Sequence, residues 1–273
     1  MFKILFLPVI KTPDMENIVI SSRYNEYGFS DGVSYHDTLY FVNYNRVFSY
    51  NQKLGNVELA MQIKNKIVTN GVVYNNKLYF AADDYYVYGY NPRNNQVNKI
   101  LKASNLIKSN GIVVENKLYF GSDDYCLYEY DAETNVVKVV LTADAEIRHS
   151  GTVYNNKLYF GTENGDFYVY DLKTNSFKVW KANDEVTVSD SGVIVNDYIY
   201  FTGIMKDKSS IYKLDLKTNL IWTWTFILPG KYISSIMFLN NKIYFFMTSI
   251  GNQAPIGWVK INWTTIMWSK DYN

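Results

Sequence analysis

Carboxylates are the side chains of this chain best placed to do chemistry, and their spacing decides what they can do. Asp83-Asp84, Asp123-Asp124, Glu163 and Asp166 recur at intervals of about 40 residues, with Asp207 further on. Converging carboxylates bind calcium or exchange protons with a substrate. A fixed interval spreads them instead, one group per unit, and Asp is favoured in hairpin turns. Turn-building is therefore the expected task of Asp84 and Asp124, with ligand binding as the alternative. The chain has two histidines, His36 and His149, and one cysteine, Cys126. These can form no three-histidine or multi-cysteine metal site and no disulfide within the chain. His149 precedes Ser150, but neighbours along a strand point opposite ways, so they are no nucleophile–base pair. The sequence contains no P-loop, dinucleotide fingerprint, HExxH or CxxC. No catalytic residue, no metal and no cofactor is expected.

A second polar set recurs at the same interval: Asp31, Asn70, Asn110, Ser150, Ser191 and Ser234, preceded by Ser30, Thr69, Ser109, His149 and Asp190. Such groups hold a polar ligand, or cap the strands that follow and satisfy backbone groups. Aromatics are the third candidate set, at 17% of the chain with 26 tyrosines. Tyr88, Tyr128, Tyr168 and Tyr212 share one repeat position, which packing between repeats explains. Tyr24, Tyr27, Phe29, Tyr85, Tyr125 and Tyr232 fall off that register and are better candidates for a binding surface.

The elements that must position these residues are repeats. Leu39-Tyr40-Phe41, Leu78-Tyr79-Phe80, Leu118-Tyr119-Phe120, Leu158-Tyr159-Phe160, Ile199-Tyr200-Phe201 and Ile243-Tyr244-Phe245 mark six units of about 40 residues. Gly32, Gly71, Gly111, Gly151 and Gly192 open the first apolar run of five units, and Ser235 takes that place in the sixth. Asn51, Asn91, Asp131, Asp171, Asp215 and Asn262 close the third run. Each unit reads as four strands, with Asn-rich two-residue turns such as Asn75-Asn76 suited to positive φ. A four-stranded unit at this period predicts an all-β, six-bladed β-propeller of antiparallel blades, preferred to seven blades, a solenoid or a sandwich. The predicted single domain has repeats at 32–70, 71–110, 111–150, 151–191, 192–234 and 235–273. Residues 1–31 are left as an N-terminal segment able to supply a ring-closing strand.

Composition excludes other classes. The 273 residues carry 27 basic and 26 acidic side chains, a net charge of +1, so no phosphate-neutralising stripe and no nucleic-acid partner is expected. No run is long enough for membrane insertion. The segment from Met1 to Ile10 has a short apolar stretch without a small-residue cleavage site, and reads as a strand rather than a signal peptide. A cytoplasmic or virion location follows as the expectation. The sequon Asn262-Trp263-Thr264 falls in a repeated turn.

The fourth unit, Leu158-Tyr-Phe-Gly161-Thr-Glu-Asn-Gly165-Asp-Phe-Tyr-Val-Tyr-Asp171 and onward to Trp180, resembles a quinoprotein-type (PQQ-like) propeller repeat. Gly121-Ser-Asp-Asp124 and Asp131-Ala-Glu-Thr-Asn135 of the third unit match it too. The resemblance covers most of the chain at declining quality and implies a propeller. Non-catalytic members, among them bacterial outer-membrane assembly scaffolds, share it. Asn135, Asn175 and Asn219 stand where the family has a turn glycine. Trp180 and Trp224 keep its terminal Trp, while Ala60, Ile100 and Val140 fill that column elsewhere. Quinoprotein dehydrogenases carry a vicinal cysteine pair, which Cys126 alone cannot supply.

In a propeller the D–A and B–C connections open on one face and the A–B and C–D turns on the other. The first face has the longer, more varied loops, including 203–210 and 247–255, so binding is expected there. The function predicted is a non-enzymatic interaction module for a protein or glycan, compatible with a structural or attachment role in a virus particle or at a cell surface. Its candidate contacts are Asp31, Asn70, Asn110, His149, Ser150, Asp190, Ser191, Asp84, Asp124, Tyr85, Tyr125 and Tyr232. The competing class is an enzyme, a hydrolase, lyase or degenerate quinoprotein with a polar site at the pore mouth. Two or more titratable groups within hydrogen-bond reach there would favour it.

Overall fold

A computed structural model describes residues 32–181, 186–188, 192–205, 208–218, 220–226, 231–239, 242–249 and 257–261. Asp31, Asp190, Ser191, the segment 1–31 and the tip of the 203–210 loop lie outside the described residues, as does the side chain of Tyr232.

Those residues form six antiparallel sheets that follow one another along the chain. The first is β1 (Gly32–Tyr35), β2 (Thr38–Asn43), β3 (Arg46–Asn51) and β4 (Asn56–Gln62). The second is β5 (Val72–Tyr74), β6 (Lys77–Ala81), β7 (Tyr86–Asn91) and β8 (Gln96–Lys102). The third is β9 (Ile112–Val114), β10 (Lys117–Gly121), β11 (Cys126–Asp131) and β12 (Val136–Thr142). The fourth is β13 (Thr152–Tyr154), β14 (Lys157–Gly161), β15 (Phe167–Asp171) and β16 (Ser176–Trp180). In the fifth, β17 (Val186–Val188) and β18 (Val193–Val195) both flank β19 (Tyr198–Met205), followed by β20 (Lys208–Asp215) and β21 (Ile221–Phe226). The sixth is β22 (Lys231–Leu239), β23 (Lys242–Ser249) and β24 (Gly257–Ile261). The first strands neighbour one another, β1 beside β5, β5 beside β9, β13 beside β18 and β18 beside β22. No helix among the described residues is long and apolar enough to cross a membrane.

Turn chemistry fixes the registers. Asn75-Asn76, Glu115-Asn116, Asn155-Asn156 and Asn196-Asp197 all hold positive φ at both residues, the two-residue hairpin that matches strand twist. At the C–D turns, Asp131 Oδ1 accepts the N–H groups of Glu133 and Thr134 at 2.9 and 3.2 Å, and Asn51, Asp171 and Asp215 cap their turns likewise. Asn135 (φ 57°) and Asn175 (φ 52°) occupy the left-handed position where Gly55 stands in the first unit. Their retention has a reason. The hydroxyls of Tyr130 and Tyr170 donate to their Oδ1 atoms at 3.0 and 2.9 Å, a bond glycine cannot offer.

The Trp column divides. Between β11 and β12 the register slips so that Val140 is bulged out and Leu141 faces Leu127; Ala60, Ile100 and Trp224 are bulged in the same way. No slip interrupts β15 and β16, so Trp180 faces Phe167. Trp180 is thus the counterpart of Leu141, not of Val140 or Trp224, and one extra residue per bulge hides this from a linear alignment.

The core lies between sheets. Leu118 and Phe120 pack back with Tyr79, Val87 and Leu101 of the second sheet, while Tyr119 packs forward with Leu158, Phe160 and Tyr170 of the fourth. Equivalent clusters join first to second, fourth to fifth and fifth to sixth sheets. Strand alternation therefore turns the triplets of the third, fourth and fifth blades into two-sided blade contacts. The fold is a β-propeller.

Candidate functional site

The face carrying the D–A segments and B–C turns is built from three local devices. The first ties each D–A segment down. Asp83, Asp123 and Glu163 donate their backbone N–H to the carbonyls of Lys66, Leu106 and Glu146 at 2.9, 2.8 and 3.1 Å. Beneath, Thr69 Oγ1 accepts from Ala81 N and Ser109 Oγ accepts from Gly121 N, at 2.8 and 2.7 Å. Both residues are buried.

The second device links blades. Asn70 donates its backbone N–H to Asn110 Oδ1 at 2.8 Å, and Asn110 donates its own to Ser150 Oγ at 2.9 Å. Three of the polar residues expected at the pore mouth thus meet in a relay from the second blade to the fourth.

The third device shapes the B–C turns. In the second, third and fourth blades a three-residue loop closes with the same two backbone bonds, exemplified by Tyr125 N to Ser122 O (3.2 Å) and Ser122 N to Cys126 O (3.1 Å). The last loop residue is left-handed. The fourth blade uses Gly165 (φ 84°), but the second and third use Tyr85 (φ 68°) and Tyr125 (φ 72°). The first blade closes with a shorter, two-residue turn, Tyr44-Asn45, whose first residue, Tyr44 (φ 56°), is the left-handed one. A tyrosine in this region costs roughly 1–2 kcal/mol that glycine does not. Tyr85 and Tyr125 are 39% and 43% exposed, so packing covers these rings only in part.

Asp84 and Asp124 sit inside these turns. Asp124 accepts from Cys126 N, Ser104 N and the Tyr128 hydroxyl at 3.1, 2.8 and 2.7 Å. Burial opposes its charge, but these donors outweigh burial and hold the carboxyl below its usual range. Asp84 likewise takes the Tyr88 hydroxyl at 2.7 Å and Lys99 at 3.3 Å. Both carboxylates hold the loops that present Tyr85 and Tyr125.

Titratable groups converge between the third and fourth blades. Asp123, 7% exposed at its side chain, meets Lys108 at 2.7 Å and Arg148 Nε at 2.9 Å. Arg148 also reaches Glu163 at 3.2 Å and Glu146 at 3.7 Å. Burial raises the Glu163 carboxyl above its ordinary value despite Arg148. His149 Nε2 lies 3.9 Å from Glu163, outside hydrogen-bond reach. The guanidinium bridges three carboxylates, which makes a charged clamp between blades rather than a free acid–base pair. No group of three metal-ligating side chains occurs among the described residues. The vicinal cysteine pair of quinoprotein dehydrogenases has no counterpart in the chain. Cys126 has no cysteine neighbour in the sequence, and its thiol, pushed up by burial, lies 3.9 Å from the Thr142 hydroxyl.

The opposite face is built of inter-blade tyrosine bonds: Tyr35 to Asn76 at 3.0 Å, Tyr74 to the Asn116 carbonyl, and Tyr154 to Asp197 at 2.9 Å. Sequence reasoning missed Tyr44. Phe41 and Val47 are one residue closer than Phe80 and Val87, and aligned backward from Val47 the Tyr85 column receives Asn45, so no repeat position pointed to Tyr44.

No protein-family model matches the chain, and no curated protein matches it in sequence. Solved structures do match in shape. BamB from Moraxella catarrhalis superposes with a TM-score of 0.60 at 11% identity, over 82% of this chain and 73% of that one. A chain of the mitotic checkpoint complex superposes with a TM-score of 0.64 at 13% identity, over 96% of this chain and 88% of that one. Both neighbours are propellers, in agreement with the sheet order.

Proposed function

We propose that this propeller is a non-enzymatic scaffold that binds a protein through the face bearing its B–C turns. The observation that carries the reading is the pair of exposed tyrosines, Tyr85 and Tyr125, at left-handed positions where the fourth blade uses Gly165. Backbone strain kept at an aromatic that is only partly packed fits a contact residue better than a structural one. Tyrosine suits protein interfaces, where its large rigid surface is buried at small entropic cost. The two structural neighbours come from protein assemblies or their components, which supports a protein partner over a glycan. Of the contacts predicted from sequence, Tyr85 and Tyr125 belong to this face directly. Asp84 and Asp124 serve by shaping it, and Asn70, Asn110 and Ser150 hold the blades beneath it. A PQQ-like ancestry for the repeats is part of the same reading, supported by the likeness to BamB.

The test is site-specific crosslinking in the native host. A photoreactive phenylalanine at Tyr125 should yield a discrete protein adduct, while the same group at Glu133, on the opposite face, should not. Equal labelling from both positions, or adduct from Glu133 alone, rules the face out.

A further inference from the structure

Resting on that reading, we infer that the first and second blades accept an acidic segment of the partner. The D–A segment between those blades folds over the first B–C turn. Ile63 N donates to Asn45 O at 3.1 Å, Asn45 Nδ2 to Ile63 O at 2.8 Å, and Ile67 N to Tyr44 O at 2.8 Å. The exposed Lys64 and Lys66 are thereby held beside Tyr44, and the half-exposed Arg46 follows the turn. The bond from Asp83 N to Lys66 O brings the second B–C turn, with Tyr85, against the same segment.

Charge separates this quarter of the face from the next. Arg46, Lys64 and Lys66 form no ion pair with any described residue, whereas Lys108 and Arg148 are taken up by Asp123, Glu146 and Glu163. Asp84 is neutralised by Lys99, which leaves Asp83 as the exposed carboxylate of the patch. Three cations around two exposed tyrosines, against one acid, complement a segment that carries carboxylates beside an apolar side chain. A nucleic acid is disfavoured: the chain has a net charge of +1, and Asp83-Asp84 stand within the patch.

The test titrates the full chain with fluorescent peptide pools of about 12 residues. One pool is rich in Asp, Glu and Leu, one is rich in Lys, Arg and Leu, and a single-stranded DNA of similar length is the third probe. The acidic pool should bind, weaken with salt, and lose about tenfold in affinity in Lys64→Glu/Lys66→Glu. Tyr44→Gly, which relaxes the backbone and so keeps the fold, should weaken the same pool. Equal binding of acidic and basic pools, indifference to the charge reversal, no binding of the acidic pool, or tighter binding of DNA overturns the acidic partner. Basic-pool binding that still falls in Tyr85→Gly/Tyr125→Gly overturns the acidic segment while leaving the tyrosine face intact. Binding of every probe untouched by those tyrosine changes defeats the face itself.

Discussion

The backbone N–H of Asn70 ends on the side-chain oxygen of Asn110, 40 residues away in the next blade. It is a tether made of one hydrogen bond, and it sits where the first strands of successive blades neighbour one another. A part-buried amide left without its acceptor costs about 1–3 kcal/mol. Asn110→Leu should therefore lower the urea midpoint, while Asn110→Asp, which keeps the acceptor, should remain near wild type. Equal loss in both variants would mean that the amide nitrogen or local packing matters instead.

Tyr85 and Tyr125 set stability against binding. Replacing either with glycine removes the left-handed penalty, so each change should stabilise the protein by about 1 kcal/mol. Calorimetry reads this as a higher Tm. A fall in Tm would show that the exposed rings pack better than their exposure suggests, and the argument for a retained contact residue would lose its basis.

What the sequence made legible follows from period and what it hid follows from local exceptions. The Leu-Tyr-Phe triplets announce the blades because each residue must meet a particular neighbour, Leu118 and Phe120 behind and Tyr119 ahead. Tyr85 and Tyr125 stood out because they break register. The strain that gives them meaning was not readable, since φ at a turn depends on how β6 and β7, or β10 and β11, are closed. The bulges at Ala60, Ile100, Val140 and Trp224 defeated the linear alignment for the same reason. The Arg148 clamp joins residues from two blades, and no spacing rule foretells which charges meet across that gap.

Tyr130 and Asn135 can be tested as a pair. Tyr130→Phe removes the donor and Asn135→Gly the acceptor, while glycine satisfies φ 57° without strain. Each single change should cost little or nothing beyond the hydrogen bond. A double-mutant cycle should return a coupling of about 0.5–1.5 kcal/mol. Zero coupling would reduce Asn135 to a turn residue and remove the explanation for its replacing glycine.

Acid should loosen the C–D turns in a defined direction. The backbone N–H groups of Thr134, Thr174 and Thr218 lead the interactions that hold Asp131, Asp171 and Asp215 below the ordinary carboxylate range. The unfolded chain therefore binds protons more readily than the folded one at these sites. Their contribution is complete above the unfolded value, shrinks as pH falls through the ordinary range, and is gone below the folded value. Asn51 and Asn91 already cap their turns without a charge. Asp131→Asn should accordingly keep the turn and flatten the acid limb when urea midpoints are followed from about pH 6 to about pH 3. Since Glu163 is shifted the opposite way, by burial, Glu163→Gln should instead remove a contribution that favours low pH, leaving the acid limb steeper than in the wild type. An unchanged limb in Asp131→Asn would place the acid sensitivity elsewhere, with Glu129 the next carboxylate to replace, because Lys117, Tyr119 and Lys138 overcome its burial and hold it low.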